Sequence, residues 1–251
     1  MAWIGRLRAA AGGWVADGLD MLFPPRCATC TGELPPAAAR GRANLCAACA
    51  AALGRDGPRC PACGAPGAGP GCGACRGRRH GWDGIVVLGG YADDLRDAVL
   101  RAKRPAGDRV AAALAALLAE RHRDTLVTWN PDVVVPVPMH WLRRVARGTS
   151  AADEIGRGIA AALRRPCRRL LRRTRATTMQ NRLPVAERRG NVRGAFRPRG
   201  RIVGLRVLLV DDVTTTGSTL EACAEAAISA GAAAVYAAAV ARADAGGSTD
   251  A

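Results

Sequence analysis

The sequence predicts an α/β fold, a mainly parallel sheet flanked by helices, with a small cysteine-rich region ahead of it. Three observations carry this reading. Beyond Trp82, short runs of β-favouring apolar residues alternate with stretches of helical spacing. Between residues 27 and 75, by contrast, the chain is dense in Cys, Gly, Pro and Ala and poor in large apolar side chains. Finally, the apolar run 207–210 ends on two aspartates and a hydroxyl-rich turn that opens a helix, at the edge where open α/β sheets bind ligands.

Taken in order, residues 3–23 place Trp3, Ile4, Leu7, Ala11, Trp14, Val15, Leu19 and Leu22 at helical spacing ahead of Pro24-Pro25. This reads as an amphipathic helix over 1–23, packed on its own protein and ended by the prolines. A membrane-surface helix with Arg6 and Arg8 on its polar side is the alternative. The next region, 24–80, cannot build a core by burial and needs a cross-link. Eight of the ten cysteines supply it as Cys-x-x-Cys knuckles: Cys27/Cys30, Cys46/Cys49, Cys60/Cys63 and Cys72/Cys75. Two such knuckles complete a tetrahedral thiolate site, so four predict two structural zinc ions. Neighbours can pair, or the first knuckle with the third and the second with the fourth; spacing permits both. Small residues around the knuckles (Ala28, Ala47, Ala62, Gly64, Gly73, Ala74) leave room for backbone N–H groups to approach the sulfurs. Disulfides conflict with a cytosolic location, and a redox dithiol occurs singly beside a βαβ unit. His80 is surplus to both quartets, and Cys167 and Cys223 read as small core residues.

From 82 to 242 the apolar runs 85–88, 133–137, 170–171, 207–210 and 235–240 predict strands. Helices are expected near 93–104, 108–123, 150–164 and 217–230. The segment 172–200 breaks the alternation, being basic, aperiodic and too long for an ordinary connection. The tail 243–251 is expected to fray.

Of 251 residues, 37 are basic and 21 acidic, a formal net charge of +16. Residues 141–206 hold nineteen Arg against three acids, which accounts for the whole excess. Such a window suggests phosphate-bearing ligands or nucleic acid. For any one of Arg143, Arg144, Arg164, Arg165, Arg168 and Arg169, solvated surface is the simpler reading. No apolar stretch nears the roughly eighteen residues of a membrane span. No secretory signal is evident either, so a cytoplasmic location is expected.

The stretch from Val207 to Leu220 is the most informative. A buried strand delivers Asp211 and Asp212 to its C-terminal edge. Thr215, Thr216, Ser218 and Thr219, with the N–H groups of a helix start, can then cradle a phosphate. Gly217 permits close approach or a positive φ. Carboxylates beside a phosphate cradle make sense if the ligand carries sugar hydroxyls as well, as in a ribose 5-phosphate. An N-cap cluster alone would explain one hydroxyl, and the absence of Gly-Lys-Ser/Thr excludes a Walker A loop.

This stretch resembles the phosphoribosyl-pyrophosphate motif of type I phosphoribosyltransferases. The chain over about 22–241 resembles the ComF family, which joins a zinc ribbon to a phosphoribosyltransferase-like domain. Supporting residues are Val135-Pro136-Val137-Pro138, Arg147-Gly148, Arg175-x-x-Thr178-x-Gln180, Arg188, Asn191 and Gly194-Ala195-Phe196. One corner departs: Thr149-Ser150-Ala151 stands where the family usually has Phe-Asn-Gln.

The resemblance implies a double zinc ribbon over 24–80 and a type I phosphoribosyltransferase-like domain over 82–242. It implies binding of phosphoribosyl pyrophosphate with Mg²⁺ and transfer of its phosphoribosyl group to an unnamed acceptor. Asp211, Asp212, Arg175 and Arg188 would be the catalytic set, with Arg182 beside them. Thr215, Thr216, Gly217, Ser218 and Thr219 would hold the 5′-phosphate, and Pro136 and Val137 the pyrophosphate. Lys103 matches a lysine common in the family. The resemblance also links the chain to natural competence, with single-stranded DNA and competence-machinery proteins as further partners. DNA handling over the basic surface is the rival function. A catalytically inactive sensor of the phosphoribosyl ligand is a third.

Overall fold

The computed structural model describes residues 24–35, 44–54, 57–67, 72–75, 79–139, 150–174, 192 and 194–243. The helix predicted over 1–23, the tail from 244 and residues 175–191 of the basic segment lie outside them.

The cysteine-rich region contains one short helix, α1 (Ala47–Ala52). The chain then runs through β1 (Gly84–Gly90), α2 (Asp93–Ala102), α3 (Asp108–Arg121), α4 (Arg123–Trp129) and β2 (Val133–Pro136). After these come α5 (Ala151–Leu163), β3 (Leu171–Arg173) and β4 (Phe196–Pro198). Last are β5 (Arg206–Thr214), α6 (Ser218–Ser229) and β6 (Ala234–Arg242).

Four strands form an all-parallel sheet in the order β1-β6-β5-β2. Both faces are covered, so its strands read as continuous apolar runs rather than alternating ones. The period of two instead sorts side chains between two cores. Val86, Leu88, Val134, Leu208 and Val210 join the layer built with α2, α3 and α5. Ile85, Val87, Val135, Leu209 and Ala237 join the layer built with α6, Leu171 and Phe196. Small residues let the helices come close: a Cβ on Gly158 of α5 would lie 2.5 Å from the Ala115 Cβ of α3. Asp132 accepts from the Arg206 backbone N at 2.8 Å and from its guanidinium at 3.2 Å, which fixes the start of β2 against β5.

Two expectations change. The run 170–171 does not enter the parallel sheet: Leu171–Arg173 pairs antiparallel with Phe196–Pro198 in a separate two-stranded sheet. The edge beside β2 is taken by a bridge from Val134 to Cys167 instead, and a run of only two apolar residues could not signal which sheet it would join. The helix expected over 108–123 ends at Arg121 and a second helix, α4, follows, closed by Asn130 in the left-handed conformation. The polar Arg-Asp-Thr composition of α4 hid it.

Each of the two cysteine modules begins with the same fold of chain. Arg26 bridges Glu33 and Arg59 bridges Pro66 across the turns at Cys27–x–x–Cys30 and Cys60–x–x–Cys63. Cys27 N donates to Gly32 O at 2.8 Å and Cys60 N to Ala65 O at 2.9 Å. Thr31 and Gly64 occupy equivalent left-handed positions, φ 62° and 75°. Three arginines of the α/β part fasten these modules through backbone carbonyls. Arg101 donates to Ala28 O at 3.1 Å, Arg121 to Gly54 O at 2.6 Å, and Arg242 to Cys63 O.

Candidate functional site

The sulfurs of Cys27, Cys30, Cys46 and Cys49 lie within 4.8 Å of one another, and so do those of Cys60, Cys63, Cys72 and Cys75. Neighbouring knuckles therefore pair, and the crossed alternative is excluded. Sulfurs on a tetrahedral zinc with bonds of about 2.3 Å stand about 3.8 Å apart. Cys30–Cys46 at 3.8 Å and Cys60–Cys75 at 3.7 Å match that edge, Cys63–Cys72 at 3.3 Å and Cys72–Cys75 at 3.2 Å are tighter, and no cysteine is in a disulfide. Backbone N–H groups approach the sulfurs as expected: Cys46 N to Cys27 Sγ and Cys49 N to Cys46 Sγ, both at 3.4 Å. Burial opposes ionisation of Cys27, but the Thr29 hydroxyl and the Cys46 amide outweigh it and hold the thiol at about 5. These are two cysteine-rich zinc-ribbon sites, consistent with two structural zinc ions.

The second candidate site lies at the C-terminal edge of the sheet. In β5, residues 207–210 are buried, and Asp211 and Asp212 are half-buried in the C-terminal half of the strand, which runs on to Thr214. Each carboxylate accepts from the next backbone amide along the strand: Asp211 Oδ1 from Asp212 N at 2.9 Å and Asp212 Oδ1 from Val213 N at 2.6 Å. The turn closes at Gly217, φ 78°, directly before α6. A Cβ at Gly217 would stand 2.8 Å from the Trp82 ring, so both reasons for glycine hold at once. Within the turn, Thr216 and Ser218 hydroxyls share a bond of 2.6 Å. The Thr215 hydroxyl is buried without a hydrogen-bond partner among the described residues, which is costly unless a ligand or a water satisfies it.

Charge is arranged around these groups. Lys103, just past α2, places Nζ 3.4 Å from Asp212 Oδ2. Burial and the adjacent Asp212 raise Asp211 to about 7, against the pull of the Asp212 amide, Lys103 and Arg173. Arg173, whose guanidinium lies 5.4 Å from the Phe196 ring centroid, is thus a cation near the carboxylates. Beside them, β2 ends at Pro136 in register with Val210, and Val137 N donates to Val210 O at 2.8 Å. Pro136 and Val137 are therefore neighbours of Asp211. So the structure brings together Asp211, Asp212, Thr215, Thr216, Gly217, Ser218, Thr219, Pro136, Val137 and Lys103. Arg175, Arg182, Arg188 and Arg147-Gly148 lie outside the described residues. Ser150, in the departing corner, is buried at the N-cap of α5. His80 meets Glu221 at 3.4 Å and is in neither quartet. Cys223 is fully buried, its thiol pushed well up by burial and by Asp211, and Cys167 lies part-buried against β2.

Residues 18–78 match the double zinc ribbon domain family, and residues 106–250 match the phosphoribosyl transferase domain family. Competence protein F of Haemophilus influenzae is 31% identical over 207 residues, covering 79% of this chain and 88% of that protein. The chain belongs to the ComF family. Other similar members carry the name DNA utilization protein YhgH. The Salmonella typhimurium protein is 34% identical over 200 residues, 76% of this chain and 87% of its own length. That of Escherichia coli strain K12 is 32% identical over 205 residues, 78% and 89%. Among solved structures, a purine phosphoribosyltransferase from Pyrococcus horikoshii aligns over 63% of this chain and 78% of its own, with 22% identity and a TM-score of 0.33.

In this ComF protein, two residues near the site went unread in the sequence. Arg173 precedes the motif that drew attention, and only its β3–β4 pairing turns it toward Asp211. Trp82 marked a change in composition, and a lone Trp ahead of a strand gives no hint that Gly217 will rest on it.

Proposed function

We propose that this chain binds phosphoribosyl pyrophosphate with Mg²⁺ at the C-terminal edge of β5 and transfers its phosphoribosyl group to an acceptor. The carrying observation is a paired mismatch: a buried Thr215 hydroxyl without a partner among the described residues stands beside carboxylates whose burial and mutual repulsion raise Asp211 to about 7. A phosphate answers the first and ribose hydroxyls the second. In this reading the 5′-phosphate sits on the N–H groups and hydroxyls of 215–219. Asp211 and Asp212 accept from the 2′- and 3′-hydroxyls, and Pro136 and Val137 flank the pyrophosphate. The bond from C1′ to the pyrophosphate oxygen breaks, the pyrophosphate leaves with the electron pair, and the acceptor's lone pair forms the new bond to C1′. Arg173, with Arg175, Arg182 and Arg188 of the hood 172–200, offsets the leaving charge and excludes water. The hard oxygens around Asp211 and Asp212 fit Mg²⁺, which when bound would neutralise pyrophosphate charge. The proposal includes the division at 24–80 and 82–242, and a reducing, cytoplasmic setting for the thiolates. No described helix is long and apolar enough to cross a membrane.

The test is a melting curve with millimolar phosphoribosyl pyrophosphate and Mg²⁺. The wild type should gain several degrees, and Asp211→Asn with Asp212→Asn should gain none. An unmoved wild type sinks the transfer and sensor readings together.

A second reading, handling of single-stranded DNA, has its own observation. Arg172 and Arg197 stand directly opposite each other on β3 and β4, both exposed. Like charges so placed repel unless an anion lies between them. Arg168, Arg199 and Arg201 are exposed nearby, and the described residues of 164–174 and 194–206 contain no acid.

A further inference from the structure

Trp82 joins two parts of the molecule that the sequence keeps far apart. Its indole Nε1 donates to the Ala62 carbonyl at 2.8 Å, and Ala62 lies inside the knuckle between Cys60 and Cys63. The far end of the ring lies beneath Gly217, where a Cβ would approach Cη2 to 2.8 Å. The Gly217 carbonyl in turn accepts from Glu221 N at 2.8 Å, closing the first turn of α6. His80 stacks on the same indole, with centroids 4.6 Å apart and planes 14° apart. His80 and Gly81 both reach the Glu221 carboxylate, at 3.4 and 2.6 Å. Trp82 is only 7% exposed, so little of this contact is open to water.

The knuckle is itself fixed to the sheet. Pro61 O accepts from Ile85 N at 2.9 Å, and a Cβ on Gly64 would stand 2.5 Å from Val87. The first quartet is docked elsewhere, on α2 and α3, through Arg101 and Arg121.

We propose that the second cysteine quartet is a working part of the phosphate site. With zinc on Cys60, Cys63, Cys72 and Cys75, the knuckle holds Trp82 in place, and Trp82 sets the left-handed turn at Gly217. That turn aims the N–H groups of α6 at the phosphate. Trp82 is thus a positioning residue, acting through Gly217. The ligand half of this proposal rests on the phosphate-loop reading above; the mechanical half does not. Coupling of this kind is reciprocal, so ligand at the loop retains zinc in the second quartet as zinc retains ligand.

The experiment uses the full chain with saturating zinc and the variants Trp82→Phe, Cys75→Ser and Cys30→Ser. Amide exchange over 219–224 reads the first turns of α6, and exchange over 207–210 serves as the internal reference. Trp82→Phe and Cys75→Ser should speed exchange over 219–224 roughly tenfold without changing 207–210, while Cys30→Ser leaves 219–224 as in the wild type. Calorimetry with ribose 5-phosphate should show roughly tenfold weaker binding in Trp82→Phe, which still carries two zinc ions. Wild-type exchange over 219–224 in Trp82→Phe overturns the proposal, whether or not Cys75→Ser folds. Wild-type protein that binds no ribose 5-phosphate would remove the phosphate reading instead, and the exchange data would still decide whether the knuckle holds the turn.

Discussion

Two adjacent carboxylates in the C-terminal half of β5 repel each other, and their neighbours compensate only in part. Lys103 pairs with Asp212, and Asp211 is left at about 7 by burial and by the Asp212 charge. The folded protein therefore keeps a proton on Asp211 that the unfolded chain releases near pH 4. Stability falls as pH rises between about 4 and 7, and the full penalty is present above 7. Unliganded Asp211→Asn should accordingly unfold later than the wild type at pH 8, by about 1–2 kcal/mol or a few degrees. The difference should vanish near pH 4, and equilibrium denaturation across pH reads both. Equal stability at pH 8 would mean that the site is already balanced without ligand. Asp211, Asp212 and Gly217 were legible in the sequence because one contiguous stretch delivers them. Arg173 and Trp82 were not, since each reaches the site from a different element.

At the scale of elements, knuckle spacing says that two thiolates can share an ion and nothing about which knuckles meet. The α1 turn, carrying Cys46 and Cys49, folds back on Cys27, where Cys46 N meets the sulfur at 3.4 Å. This gives a direct test of the pairing by metal content. Cys27→Ser with Cys46→Ser should leave one zinc per chain, because both changes fall in one quartet. Crossed pairing would damage both sites and leave none, and elemental analysis of the purified variant separates the two. The strand expected at 170–171 shows the opposite limit of sequence reading. Its partner, Phe196–Pro198, lies at the far end of the long basic segment, and nothing local in Leu170-Leu171 names it.

For the molecule as a whole, the +16 excess is confined to 141–206, and the described part of that window pairs few of its arginines with acids. Arg169 meets Asp153, Arg157 meets Glu154 and Arg206 meets Asp132. The cross-strand pair Arg172 and Arg197 has no such acid opposite it. If the β3–β4 face carries DNA, the affinity for a single-stranded oligonucleotide should fall steeply with salt. Each phosphate contact contributes about 0.7 to the slope of log K against log salt. Arg172→Ala with Arg197→Ala should lower that slope by about 1.4, measured by fluorescence anisotropy. Asp211→Asn with Asp212→Asn should leave the slope unchanged. An unaltered slope in the arginine double variant would place DNA binding elsewhere or nowhere.

The sequence by itself determined the α/β class, the four Cys-x-x-Cys knuckles and the hydroxyl-rich turn after Asp211-Asp212. Each is written in local periodicity or in spacing a few residues long, where backbone geometry alone dictates which side chains can act together. Tertiary structure decided the pairing of the knuckles, the edge of the sheet that Cys167 occupies, and the approach of Lys103 and Arg173 to the carboxylates. It also decided that Trp82 links Ala62 to Gly217. Those contacts join residues from different elements, as far apart as Trp82 and Gly217, and their geometry is set by how two packed cores and two ribbon modules close on one sheet, which no local pattern encodes.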